Sequence, residues 1–185
     1  MLKVLTILIT TSFSLSFGDS LLSTKYDVEI LRDTWGVPHI YGVTDKDVAF
    51  GFAFAHSEDD FKTIQDVILQ TRGKLSSIYG KETLPIDYLT NLLRVRKNVE
   101  QNYDKLISSE VKDIIEAYVD GLNYYSSLNP SEAIDEIGQI TAYDIVSGFV
   151  FRTQFLYGLD FYFNFLFESK NQKKQPQLPR QVWRD

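Results

Sequence analysis

The chain has 185 residues, 44% of them hydrophobic, and a formal charge of −6 at pH 7. That length supports one domain with a core of its own, and the acidic balance excludes the clustered Lys and Arg that a phosphate backbone demands, so no nucleic acid partner is expected. With no cysteine, disulfides, thiolate zinc sites and a cysteine nucleophile are excluded as well.

Residues 1–18 follow the three-part pattern of an export signal. Lys3 precedes an uncharged apolar stretch from Val4 to Phe17, and Ser16 and Gly18 are small residues at the positions a signal peptidase favours. The apolar run falls short of the roughly 20 residues that span a bilayer. The expected location is therefore secreted or periplasmic, with the signal removed. Residues 19–168 form the expected domain, and 169–185, rich in Lys, Gln and Pro, form a polar linker.

Past the signal, Val28, Ile30 and Trp35 alternate against Asp27, Glu29 and Arg32, as in a strand with one buried face. Trp35-Gly36 breaks it. Pro38 fixes its own φ, lacks an amide donor and holds Val37 extended, so a second short strand is predicted through Tyr41, with His39 in a hairpin-like element. Thr44 and Asp47 stand in the relation of a capping box and mark a helix start. Ile64, Val67, Ile68, Thr71, Leu75 and Ile78 then read as one stripe of a second amphipathic helix, interrupted by Gly73 and stopped by Gly80. The stretch 84–106 is either a helix started by Pro85 or a helix with a kink. Val111, Ile114, Ile115, Tyr118, Val119 and Leu122 define a further helix, capped by Ser108 or Ser109.

The last apolar segment is anomalous. Thr141 with Asp144 caps a helix that is apolar on nearly every face, with Phe149, Phe151, Phe155, Tyr157, Phe161, Tyr162, Phe163, Phe165 and Phe167 along it. Arg152, Asp160 and Asn164 interrupt the run, which argues against a stable membrane span. A partner surface or an acyl-chain pocket fits better.

Few residues offer chemistry. His39 and His56 are the only histidines, and neither sits in a His-x-x-x-His or Glu-x-x-His spacing. Glu58, Asp59 and Asp60 are consecutive, which points them to different sides of a helix and favours a solvated acidic turn over a shared metal. There is no Gly-x-Ser-x-Gly elbow and no Gly-rich phosphate loop, while glycosidase carboxylates are neither supported nor excluded by spacing. From the residues alone, the chain is α+β, mainly helical with a short N-terminal β element, and carries no complete catalytic set.

The stretch from Val28 through Arg32-Asp33 and Gly36 to Ile40, then Gly51 to Asp59, resembles the N-terminal signature of the penicillin acylase family, N-terminal-nucleophile amidohydrolases that include acyl-homoserine lactone acylases. "TRGKLSSIYG" and "AYVDGLNYY" continue the resemblance, which covers Val28 to Tyr125. One departure is Asp60, where the family carries arginine after Glu-Asp. Another is the absence of a Gly-Ser dipeptide, since the family's nucleophile is a serine freed by self-cleavage at the start of a separate β chain.

The resemblance implies that this is the α-chain part of an αββα fold completed by an absent β chain. It implies an acyl-amide small molecule as substrate and the β chain of the same precursor as partner. His39 and His56 become structural positions, no catalytic residue or metal ligand is assigned, and no cofactor is expected, the calcium of some relatives having no clear ligand here. Phe151, Arg152, Phe155, Leu156 and Tyr157 match the segment that lines the substrate site. The contrasting expectation is a truncated, non-catalytic secreted fragment that binds an apolar ligand or a partner chain.

Overall fold

The computed structural model describes residues 25–167, so the export signal and the polar linker predicted at 1–18 and 169–185 lie outside the described residues. The elements are β1 (Val28–Arg32), β2 (Pro38–Gly42), α1 (Asp45–Thr71), α2 (Leu75–Tyr79), a 3-10 turn at Lys81–Thr83, α3 (Leu84–Leu93), α4 (Val95–Leu106), α5 (Ser109–Leu128), α6 (Ala142–Leu156) and α7 (Leu159–Phe167). The fold is mostly helical with one two-stranded sheet, as the sequence predicts. Two compact units are present: one of residues up to Phe61 with Glu110–Asp135, the other of Lys62–Ser109 with residues from Glu136 on.

In the first unit β1 and β2 pair antiparallel, with Val28 opposite Gly42 and Leu31 opposite His39. Asp33 makes the turn, its Oδ1 accepting the amides of Trp35 at 2.8 Å and Val37 at 3.0 Å. This bonding also corrects one expectation: alternation ends at Arg32, and Trp35, expected on the buried face, is 88% exposed at the turn tip. Five residues from Ile30, Trp35 is out of phase with the two-residue period of that face, and the Asx turn takes the backbone out of the strand before it.

Asp47 anchors the hairpin to α1. Its Oδ2 accepts the Thr44 amide at 2.8 Å and the Thr44 hydroxyl at 2.7 Å, while Oδ1 accepts the Asp27 amide at 3.0 Å. Tyr26 stacks on Phe50 at 4.5 Å between centroids, over Ala117 of α5. Two glycines permit this packing by close approach. A Cβ on Gly51 would lie 2.5 Å from Val28 Cγ2, and one on Gly121 would lie 2.5 Å from the Phe50 carbonyl oxygen.

In α1 the backbone leaves helical geometry at Asp60, with φ −157° and ψ 59°. The second unit begins just after it, and here the predicted single stripe from Ile64 to Ile78 is corrected. Gly73 closes α1 with a left-handed φ of 64°, its amide bonding to Gln70 O at 3.0 Å and that of Lys74 to Leu69 O at 2.8 Å, a Schellman end. A separate short helix, α2, follows. Its first amides, Leu75 and Ser76, donate to the two carboxylate oxygens of buried Asp87 at 2.9 and 2.8 Å.

The stretch 84–106 satisfies both expectations: Pro85 lies in the first turn of α3, and Arg94, left-handed at φ 52°, separates α3 from α4. The aromatic segment is two helices rather than one, because the chain turns at Tyr157-Gly158, where Gly158 has φ 84°. Leu89, Val95 and Phe151 form the core there, joined by Leu93, Phe155 and Leu159. Among the described residues no helix is long and apolar enough to cross a membrane.

Candidate functional site

Helix α6 sets the positions of the residues matched to a substrate site. Asp144, Ser147 and Phe151 recur at helical spacing and are all buried, so they define the inner face of the helix. Phe151, 4% exposed, meets Phe155 edge-on at 5.1 Å between centroids. Arg152 lies on the outer face, and Leu156 and Tyr157 at the helix end are 80% and 84% exposed. The five matched residues are therefore divided: Phe151 holds the helix from within, Phe155 is half-buried, and the other three face outward. Phe149 and Phe161 are likewise exposed, at 74% and 66%.

The buried end of that face is an ionic cluster. Asp144, 1% exposed, is the N3 residue of the α6 capping box and accepts the Thr141 amide at 2.8 Å and the Thr141 hydroxyl at 2.7 Å. Its carboxylate also receives Arg72 in a fork, from Nε at 2.8 Å and from Nη2 at 2.7 Å, and it receives Arg96 Nη1. Arg72 spends a remaining donor, Nη1, on the Ile137 carbonyl at 2.6 Å. Burial opposes ionisation of Asp144, but the bonds from Arg72 and Thr141 outweigh it and hold the carboxyl down at about 2.

The sequence shows Asp144 only as a cap. A long-range role has no local pattern, and the sole hint is that a charged residue opens an otherwise apolar segment. Arg72 belongs to the "TRGKLSSIYG" motif, and this fork gives that arginine a physical task.

The histidines are positioned differently. His39 Nε2 lies 3.5 Å from Asp33 Oδ2, and His56 Nδ1 lies 3.0 Å from the Tyr118 hydroxyl with its ring stacked near Phe52. Burial raises the Tyr118 phenol, which keeps it protonated at neutral pH. His56 meets a tyrosine hydroxyl, and among the described residues neither histidine bonds a serine or threonine hydroxyl. Glu58 and Asp59 are bridged by Arg32, at 2.9 Å to each, so the acidic turn is tied to β1 by the arginine that precedes Asp33. No group of three or more His, Asp or Glu among the described residues is arranged to hold a metal ion.

This arrangement has relatives. Over 98 residues the chain is 29% identical to penicillin acylase 2 proenzyme of Pseudomonas sp. (strain SE83), a stretch that covers 53% of this chain and 12% of that protein. It is 27% identical over 99 residues to the acyl-homoserine lactone acylase QuiP of Pseudomonas fluorescens, covering 54% and 12%. In structure it is similar to a thermostable penicillin G acylase from Alcaligenes faecalis, with a TM-score of 0.57 at 20% identity over 68% of this chain and 71% of that one, a likeness of fold. The matched stretch is thus about an eighth of the length of these curated relatives. The profile of the penicillin amidase family matches residues 27–169, from the hairpin through the Asp144 cluster to the aromatic helices, and the chain belongs to that family.

Proposed function

We propose that this chain is the α-subunit portion of an exported amidohydrolase that removes amide-linked acyl groups of the penicillin or acyl-homoserine lactone type. The family match over residues 27–169 carries the reading. The exposure of four large apolar side chains on the last two helices, Phe149, Leu156, Tyr157 and Phe161, supports a second chain as their cover, since exposed apolar surface of this kind marks protein interaction sites.

In this reading the β chain completes the αββα fold and supplies an N-terminal serine. Its hydroxyl attacks the amide carbonyl with the serine's own α-amino group as base, the amine leaves, and water hydrolyses the acyl-enzyme. Phe155, Leu156 and Tyr157 form apolar wall for the acyl group, Arg152 offers a polar contact, and Phe151 anchors their helix. The test is to extend the coding frame beyond Asp185, express the complete protein, sequence the N-termini of its chains and assay phenylacetyl- and fatty-acyl-amide hydrolysis. Expected are a new N-terminal serine, loss of the signal, and hydrolysis that a Ser→Ala change at that new terminus abolishes. A complete protein that neither cleaves itself nor hydrolyses acyl amides overturns the reading.

A further inference from the structure

A cavity of about 410 Å3 lies within the second unit, where the end of α3 meets the start of α4, and four cations line it: Arg72, Arg94, Arg96 and Lys97. Its size is in the range of small-molecule sites. Two of the cations are already matched. Arg72 and Arg96 share Asp144, and Arg96 Nε also bonds Glu100 Oε1 at 2.8 Å. Arg94 and Lys97 have no acidic partner among the described residues. A chain with a net charge of −6 therefore gathers two uncompensated positive charges at one concavity.

Three further features converge there. Arg94 immediately precedes the first turn of α4, a helix of 12 residues whose leading amides lack intrahelical acceptors and carry the positive end of the helix dipole. Thr90, another wall residue, has a buried hydroxyl with no hydrogen-bond partner among the described residues. Arg94 also holds a left-handed backbone, which a residue with a side chain adopts at some cost.

We propose that this cavity binds a free small-molecule oxyanion, a carboxylate or a phosphate, with Arg94 and Lys97 as its counter-ions and the first amides of α4 as donors. Guanidinium forks and helix N-termini both match such groups. The site is separate from the outward face of α6 and does not depend on the acylase reading.

The experiment is calorimetric titration of the full-length protein at low salt with inorganic phosphate and, separately, with citrate. It is repeated on Arg94→Gly, which accepts the left-handed conformation while removing the charge, and on Lys97→Gln. Saturable binding of at least one anion is expected, weakened roughly tenfold or more in each variant, with the Arg94→Gly melting temperature unchanged or raised. The anion that binds more tightly identifies the chemistry. Absence of saturable binding by both anions, as an acidic side chain from another segment already seated in the cavity would produce, overturns the proposal, and so does binding that neither variant weakens.

Discussion

Arg72 and Asp144, 72 residues apart in sequence, meet in a parallel fork of two bonds at 2.8 and 2.7 Å, and the carboxylate they share with Arg96 has almost no contact with solvent. Removing one partner of such a buried pair leaves an uncompensated charge. Asp144→Ala is therefore expected to cost about 3–5 kcal/mol of unfolding free energy, read from urea denaturation. A loss under about 1 kcal/mol would mean that water replaces the carboxylate freely.

The same group sets a pH dependence. Its carboxyl is held at about 2 in the folded chain against 3.8 for the ordinary group, so between those values the unfolded state binds more protons and stability rises with pH. The contribution is full above pH 4 to 5 and lost as pH falls toward 2, and amounts to about 2 kcal/mol. Asp47, held low first by the Thr44 hydroxyl, and Asp33, held low first by the Val37 amide, act in the same direction. Urea midpoints measured across this window should rise more steeply with pH in the wild type than in Asp144→Asn. Equal slopes would contradict the assignment.

Gly121→Ala tests the close approach in the first unit. In a helix interior this change ordinarily gains up to about 1 kcal/mol, but here the new Cβ would lie 2.5 Å from the Phe50 carbonyl oxygen. A net loss of about 1–3 kcal/mol is expected, measured as a lower melting temperature. A raised one would show that the contact yields without strain.

The two faces of α6 should respond oppositely. Phe151→Ala empties the core between Leu89 and Val95 and should cost about 3–5 kcal/mol. Leu156→Ser, at an exposed position, should change stability by less than about 0.5 kcal/mol while reducing the binding of a hydrophobic dye. Dye binding unaffected by Leu156→Ser would remove this residue from the apolar surface.

What the sequence made legible was local. The hairpin, closed by one short turn between Arg32 and Pro38, and the Thr44-Asp47 start of α1 and Thr141-Asp144 start of α6, each set by residues three positions apart, stand as predicted. The stripe from Ile64 to Ile78 misled because Leu75 is buried as a helical continuation would require, although the chain has already reversed at Gly73. At Tyr157-Gly158 the apolar period likewise runs on across a backbone break. The Asp144 cluster draws on Arg72 and Arg96 from distant segments, and no window of sequence contains it. Trp35 looked like a strand residue because hydropathy does not register that Asp33 has claimed the neighbouring amides.

Asp144 also fixes the angular setting of α6. A helix advances about 100° per residue, so a start displaced by one position would rotate Phe151 toward water and bring the Arg152 guanidinium into the space between Leu89 and Val95. The carboxylate forbids that displacement, because Oδ2 accepts from Thr141 while Oδ1 accepts from Arg96, and Arg72 grips both oxygens. A single acid at the foot of the helix thus decides, three turns further on, which side chains are offered to whatever arrives at its outer surface.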